Sequence, residues 1–234
     1  MNSFENDPNY WVDFWNKNNI LNNKDLQKQI GRTINKEPIN SDIWTLTIAE
    51  IVKTIKLNSK DELVDLCSGN GLLSMPFSKQ CKHVTAVDIS RKLLDKIDLI
   101  QYTNITKVEN DLRTVHFEND SFSKAIIYFA LQHFSERETI LLLKSVYNWL
   151  KPNGLFFIGD IPDSDKMFVY FNNIERQNAY FESILSQKPA IGTWFNRLFL
   201  EKLATNIGFK KCLIIEQPSF QINSHYRFDI LLEK

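Results

Sequence analysis

Short apolar runs alternate along this chain with longer stretches in which apolar residues recur every three to four positions, the mark of strands and helices taking turns. Seven runs read as strands: Glu62–Leu66, His83–Val87, Ile105–Glu109, Lys124–Phe129, Leu155–Asp160, Lys210–Glu216 and Tyr226–Leu232. From Ser41 to Leu57, an N-cap serine precedes Ile43, Leu46, Ile48, Ile51 and Ile55 at close to a helical period, which predicts a helix ahead of the first strand. Ser135 with Glu138 forms a capping box. It opens a helix whose Ile140, Leu143, Val146, Tyr147 and Leu150 face the sheet and which Pro152 and Gly154 end. Asn196–Ile207 is a third helix, stopped by Gly208 where a left-handed backbone favours glycine.

Two stretches break this rhythm. Residues 1–40 hold an aromatic cluster (Tyr10, Trp11, Phe14, Trp15), a polar stretch and the segment Q-I-G-R-T from Gln29 to Thr33, and read as a helical extension packed on the body. Residues 41–234 form the main domain, with a helical insertion at about 161–195. There Met167, Phe171, Ile174, Phe181 and Leu185 mark one or two amphipathic helices. An insertion after a strand end is where α/β enzymes keep lids and substrate contacts.

The 234 residues fit one large domain with elaborations. Lys plus Arg is 28 and Asp plus Glu is 28, a balance that argues against an electrostatic grip on nucleic acid or anionic membrane. The longest apolar run, Ala125–Leu131, is far too short to span a bilayer, and no secretory signal is expected at the N-terminus, so the cytoplasm is the expected location. Cys67, Cys81 and Cys212 lie far apart without a C-x-x-C pair. They read as reduced thiols rather than a disulfide framework or a metal site.

The chemistry gathers at Leu63–Gly71, L-V-D-L-C-S-G-N-G, a buried strand running into a glycine-rich turn that opens a helix at Leu72. Gly69 and Gly71 permit positive φ and close approach of a ligand, although an ordinary strand-to-helix turn would also suit them. Asp88 closes the second strand and Asp111 follows the third, each 23 residues after the acid before it. Three acids at the carboxyl ends of successive parallel strands line the edge where such sheets bind ligands, and together they favour a nucleoside site. NAD is the natural competitor. Against it, Asp65 sits where a pyrophosphate would be repelled and a sulfonium or amine attracted, and the third small residue of the dinucleotide fingerprint is Ser74 rather than glycine.

Asp65, Gly69, Gly71, Asp88 and Asp111, with F-A-L-Q-H-F after the fourth strand and K-P-N-G-L-F-F-I before the fifth, resemble the class I S-adenosylmethionine-dependent methyltransferase family over about residues 41–160. The resemblance extends toward the end through N-I-G-F and Y-R-F-D-I-L-L. It implies a Rossmann-like seven-stranded, mostly parallel sheet with an antiparallel last strand, in a three-layer α/β/α sandwich. It further implies that Asp65, Cys67 and the glycine turn hold the methionine end of S-adenosylmethionine, Asp88 the ribose, and Asp111 with Leu112 the adenine. Ile89 gives the adenine an apolar face and Phe129 joins the pocket; no metal is implied. Cys67 and Ser68 stand where many relatives carry Gly-Cys or similar, still small residues.

Methyl transfer from a sulfonium is an in-line displacement in which the protein mainly aligns the acceptor, and a hydroxyl acceptor calls for a base. His133, just after the fourth strand, is the candidate base, with helix capping as the alternative reading. His225 and Tyr226 share that pocket or form a surface turn. Arg32 suits the cofactor's carboxylate or an anionic acceptor, or is a solvated helix-end arginine; Arg197 and Arg227 are further candidates of that kind. Trp15 belongs to the acceptor side or packs on the body. No N-P-P-Y or D-P-P-Y segment and no basic tract suggests a nucleic-acid substrate. The reading is therefore a monomeric or homodimeric methyltransferase acting on a small molecule, at a hydroxyl of a sugar or other metabolite, by family analogy in surface-polysaccharide or secondary-metabolite biosynthesis. The alternatives are a catalytically silent cofactor-binding scaffold, an N-methyltransferase of an amino sugar or amine, and an NAD-dependent oxidoreductase.

Overall fold

In the computed structural model, which describes residues 13–15, 24–34, 36–186 and 192–234, the apolar runs condense into one seven-stranded sheet. The strands are β1 (Glu62–Leu66), β2 (His83–Asp88), β3 (Ile105–Glu109), β4 (Phe122–Tyr128), β5 (Leu150–Pro162), β6 (Lys211–Glu216) and β7 (Arg227–Glu233). Their order is β3-β2-β1-β4-β5-β7-β6, with β7 antiparallel to both neighbours and the other pairs parallel. A separate two-residue ladder joins Thr33–Ile34 to Glu37–Pro38.

The central strands are apolar without interruption because both faces are covered. Successive side chains point to opposite faces, so Val64, Leu66, Ala125, Ile127, Phe156 and Ile158 enter one core and Leu63, Val84, Ala86, Ile126 and Phe157 the other. The first core is closed by α2 (Glu136–Trp149) and α4 (Arg197–Ile207), the second by α1 (Ser41–Ile55). These are the three expected layers.

Several local expectations change. Asn40, not Ser41, caps α1, and the helix buries Trp44, Thr47, Ile51 and Ile55 while Leu46 faces solvent at 51% exposure. In α2 the capping box is formed, but the buried face is Thr139, Leu142, Leu143, Val146 and Trp149 rather than Ile140 and Tyr147. Pro152 and Gly154 do not end α2. The chain turns straight from Trp149 into β5 at Leu150, and residues 151–154 loop out at a register shift against β4. Strand β4 starts two residues earlier than expected, and β5 is longer at both ends. The insertion forms a turn of helix at Met167–Tyr170 and α3 (Ile174–Leu185), but Phe171 is buried whereas Ile174, Phe181 and Leu185 are exposed.

Three adjacent strands β1, β4 and β5 carry a left-handed non-glycine residue at the same end: Cys67 (φ 56°), Phe129 (φ 58°) and Asp160 (φ 61°). Each such conformation costs about 1–3 kcal/mol. Their neighbours Leu66, Ile127 and Ile158 are fully buried, and each contributes about 1.5–3 kcal/mol of apolar burial, enough to hold the strained ends. At Asp160 the strain is also a bulge: β5 carries one residue more than β7 between the pairs Ile158↔Ile230 and Ile161↔Phe228, which turns the Asp160 side chain inward.

Candidate active site

At the carboxyl ends of β1 to β4 lies an open cleft of about 960 Å³, the solvent at its mouth included. The glycine turn after β1 forms one wall. Gly71 has φ 77°, and a Cβ there would lie 2.5 Å from Ile97, so both conformation and space demand glycine. The helix that follows is only Ser74–Ser78, later than the expected start at Leu72.

Three carboxyl groups reach this cleft from successive strands. Asp65 is buried in β1 and accepts a hydrogen bond from Ser74 Oγ at 2.5 Å; burial, reinforced by negative Asp88, pushes its carboxyl up to about 7. Asp88 accepts from Gly69 N–H and Ser90 N–H, both at 2.8 Å, one on each oxygen. Burial pushes it up to about 6 against backbone hydrogen bonds from Ser90, Gly69 and Ile89. Asp111 is half-buried and pairs with Arg113 at 3.2 Å, and Arg113 also reaches Glu138. Ile89, Leu112, Cys67 and Gly69 line the cleft beside them, and burial, then Asp88, holds the Cys67 thiol protonated.

The opposite wall begins with Phe129 and the short turn Leu131–His133 after β4. His133 lines the cleft beside Trp15, ring centroids 6.2 Å apart. Its pKa falls to about 3, first through burial and then through the cations Arg227 and Arg113, so at neutral pH the imidazole is uncharged.

Arg32 is buried on the cleft wall, which excludes the solvated reading. Its Nη1 pairs with Asp160 and its Nη2 donates to Tyr128 Oη at 2.7 Å, while the guanidinium stacks on Tyr128 and Phe129. Burial disfavours its charge, but Asp160 outweighs that and raises its pKa further. Tyr128 takes this place because Gly159 on the neighbouring strand has no Cβ; one would lie 2.3 Å from the ring. The Q-I-G-R-T segment is held by Asn70 Nδ2, which donates to Leu26 O at 2.8 Å and to Gln29 Oε1 at 2.9 Å.

The remaining candidates lie elsewhere. His225 is exposed and off the cleft, turned out by the tight bend before β7, with its ring against that of Tyr226. Tyr226 is buried in an aromatic cluster with Tyr170 and Trp194 and does not line the cleft. Arg227 also stops short of the wall: it is buried next to Phe129 and donates to the Asp160 carbonyl at 2.5 Å. Arg197 is occupied by Asp163 and Glu216. Tyr10 and Trp11 lie outside the described residues. Sequence reasoning missed Trp44, Asn110, Arg113 and Tyr128 on the cleft wall, and Asp160 with Asp229 and Gln217 beside it.

A nucleoside with a cationic tail fits what is present. Buried carboxyls with raised pKa gain from a cation, and two buried polar atoms on the wall, Ser68 Oγ and Arg32 Nε, have no partner among the described residues. Those residues hold no cluster of metal-ligating side chains, and no helix among them is long and apolar enough to cross a membrane.

Residues 63–154 match a methyltransferase domain family. An rRNA adenine N-6-methyltransferase of Limosilactobacillus reuteri is 35% identical over 78 residues, 32% of this chain and 32% of that protein. A ubiquinone biosynthesis O-methyltransferase of Rickettsia typhi is 28% identical over 131 residues, 53% of this chain and 52% of that protein. The chain thus matches these relatives over about half their length or less. Among solved structures, phosphoethanolamine N-methyltransferase 1 of Haemonchus contortus, in complex with phosphoethanolamine and S-adenosylhomocysteine, superposes with a TM-score of 0.66 at 15% identity, covering 94% of this chain and 47% of that one. At that identity the likeness is one of fold.

Proposed function

We propose that this chain is a class I S-adenosylmethionine-dependent methyltransferase that transfers a methyl group from S-adenosylmethionine to a hydroxyl of a small-molecule acceptor, a reading supported by the methyltransferase-domain match over residues 63–154 and by the fold. The observation that carries the reading is the convergence of Asp65, Asp88 and Asp111 from three successive strand ends on one cleft with the glycine turn between them.

The cofactor, when bound, supplies an electrophilic sulfonium methyl. Asp65 beside the turn at Cys67–Gly69 attracts its positive end, Asp88 presents its two carboxylate oxygens to two vicinal hydroxyls, and Asp111, Leu112 and Ile89 take the base. His133 accepts the hydroxyl proton of the acceptor. A neutral imidazole of low basicity suffices for this, because the protonated ether formed as the new C–O bond closes is a far stronger acid than imidazolium. Trp15, Trp44 and Phe134 exclude water and suit a small organic acceptor better than a nucleic acid. The printed activity of the Rickettsia relative, O-methylation in ubiquinone biosynthesis, supports the oxygen-acceptor reading.

Calorimetric titration with S-adenosylhomocysteine and with NAD tests the cofactor. Binding of the first alone is expected; NAD binding without it would overturn the proposal. Incubation of the full chain with labelled S-adenosylmethionine and metabolite fractions should then yield products heavier by one methyl.

A further inference from the structure

Arg113 joins three elements that meet at the cleft. It lies just past β3, and its side chain, 21% exposed, stands on the cleft wall with Asp111, His133 and Phe134. Each guanidinium nitrogen has its own acceptor. Nε donates to Glu138 Oε1 at 2.5 Å, Nη1 to Asp111 Oδ1 at 3.2 Å and Nη2 to the His133 carbonyl at 3.3 Å. Beneath it lies Phe134, whose ring centre is 5.1 Å from Cζ and whose side chain is fixed in the core.

The start of α2 does not require this arginine. Ser135 and Glu138 already cap each other: Glu138 Oε2 accepts from Ser135 N–H at 2.8 Å, and Glu138 N–H donates to Ser135 Oγ at 3.2 Å. That leaves Glu138 Oε1 for Arg113. The turn Leu131–His133 differs, because no side chain caps its start. It closes on itself through His133 N–H to Ala130 O and Phe134 N–H to Leu131 O, both 3.0 Å. Away from the acids it is tied by Thr193 N–H to Gln132 O and by Gln132 Nε2 to Phe129 O, both 2.9 Å; toward the acids it is tied by Arg113. A guanidinium carries its donors in a rigid plane, so two partners fix where the third donor points. Here the two are carboxylates, which make the stronger, charge-assisted bonds, and the third donor meets the His133 carbonyl.

We infer that Arg113 is a positioning residue for methyl transfer: held by Asp111 and Glu138, it fixes the backbone of His133 so that the imidazole faces the acceptor. This rests on the methyltransferase reading and on His133 as the base. It also makes the placement of His133 depend on Asp111, the carboxylate assigned to the cofactor's base, so that the two subsites share one side chain.

The test compares the full chain with Arg113→Gln and Arg113→Lys, all carrying isotope-labelled histidine and saturated with S-adenosylhomocysteine. In Arg113→Gln the amides of His133 and Phe134 should exchange with solvent at least about tenfold faster, and the ring signal of His133 should move while those of His83, His116 and His225 stay. At saturating S-adenosylmethionine, methyl transfer to the accepting metabolite fraction should fall by at least about tenfold, because a misplacement of about 1 Å can cost about 100-fold. Affinity for S-adenosylhomocysteine should change far less. Arg113→Lys, whose single nitrogen cannot serve three separate acceptors, should recover part of both losses. Unchanged exchange and rate in Arg113→Gln overturns the inference, and so does full recovery by lysine, which would reduce the role to charge balance. A loss of S-adenosylhomocysteine affinity as large as the loss of rate also overturns it, by assigning Arg113 to cofactor binding. If Arg113→Gln does not fold, Arg113→Lys decides alone, and exchange and rate equal to the parent's reject the role. Failure of the unmutated chain to bind S-adenosylhomocysteine or to transfer label would instead sink the methyltransferase reading, while amide exchange without cofactor still tells whether Arg113 holds the turn.

Discussion

Asp65→Asn should make the empty protein more stable at alkaline pH while impairing cofactor binding. The amide keeps the shape of the side chain, and its oxygen can still accept from Ser74 Oγ, which donates to Asp65 at 2.5 Å. What is removed is a charge that burial disfavours: the carboxyl moves from an ordinary 3.8 to about 7. A raised acid destabilises the fold as pH rises. Below 3.8 both states hold the proton; between about pH 5 and 7 only the native state does, and stability falls by about 1.4 kcal/mol per pH unit, about 3 kcal/mol in all. Asparagine has no such slope. Urea unfolding of both proteins without cofactor at about pH 5 and pH 8 isolates the effect, because the slopes from Asp88 and Asp229 occur in both and cancel in the difference. The variant should gain about 3 kcal/mol on the parent between the two conditions, and at the higher pH should bind S-adenosylhomocysteine at least about tenfold more weakly. A difference that does not change with pH would mean that the Asp65 carboxylate is not penalised in the empty cleft, and the attraction argued for a cationic ligand would go with it.

Three further outcomes are expected. Asp88→Ala should weaken S-adenosylhomocysteine by about 1.5–3 kcal/mol in calorimetry; unchanged affinity removes Asp88 from the site. His133→Ala should lower kcat by about 100-fold or more with cofactor affinity preserved, and the parent's kcat should show no limb near pH 6.5, because His133 titrates near 3, whereas cofactor binding should rise through pH 6–7 as Asp88 and Asp65 ionise; a histidine limb near 6.5 would contradict the buried environment. Arg32→Met removes the nearer of two cations from Asp160 and leaves Arg227 at 3.9 Å, so it should cost about 1–3 kcal/mol in chemical denaturation, with Arg32→Lys recovering part; no loss at all would show that Asp160 is satisfied without it.

The acid-lined side of the cleft was legible in the sequence because each of its parts is local. A strand, a glycine turn and an acid at the next strand end follow one another within about 25 residues, and the parallel order brings Asp65, Asp88 and Asp111 together without any distant contact. The helix faces were harder to read. Thr47 and Thr139 are buried in α1 and α2, and Trp44 turns inward where Leu46 was expected, because packing against the sheet rather than apolarity alone selects the face. Arg32 and Arg227 were candidates from the sequence, but their shared partner Asp160 was out of reach for a different reason. Arg32 and Asp160 are 128 positions apart, Tyr128 and Arg227 lie on strands that are not consecutive, and the inward turn of Asp160 comes from a single extra residue in β5 inside an apolar run. No local pattern announces a bulge there. That bulge presents the carboxylate that pairs with Arg32 and lies 3.9 Å from Arg227, so this cluster behind the cleft wall depends on strand register, where a shift of one residue would turn Asp160 away from both.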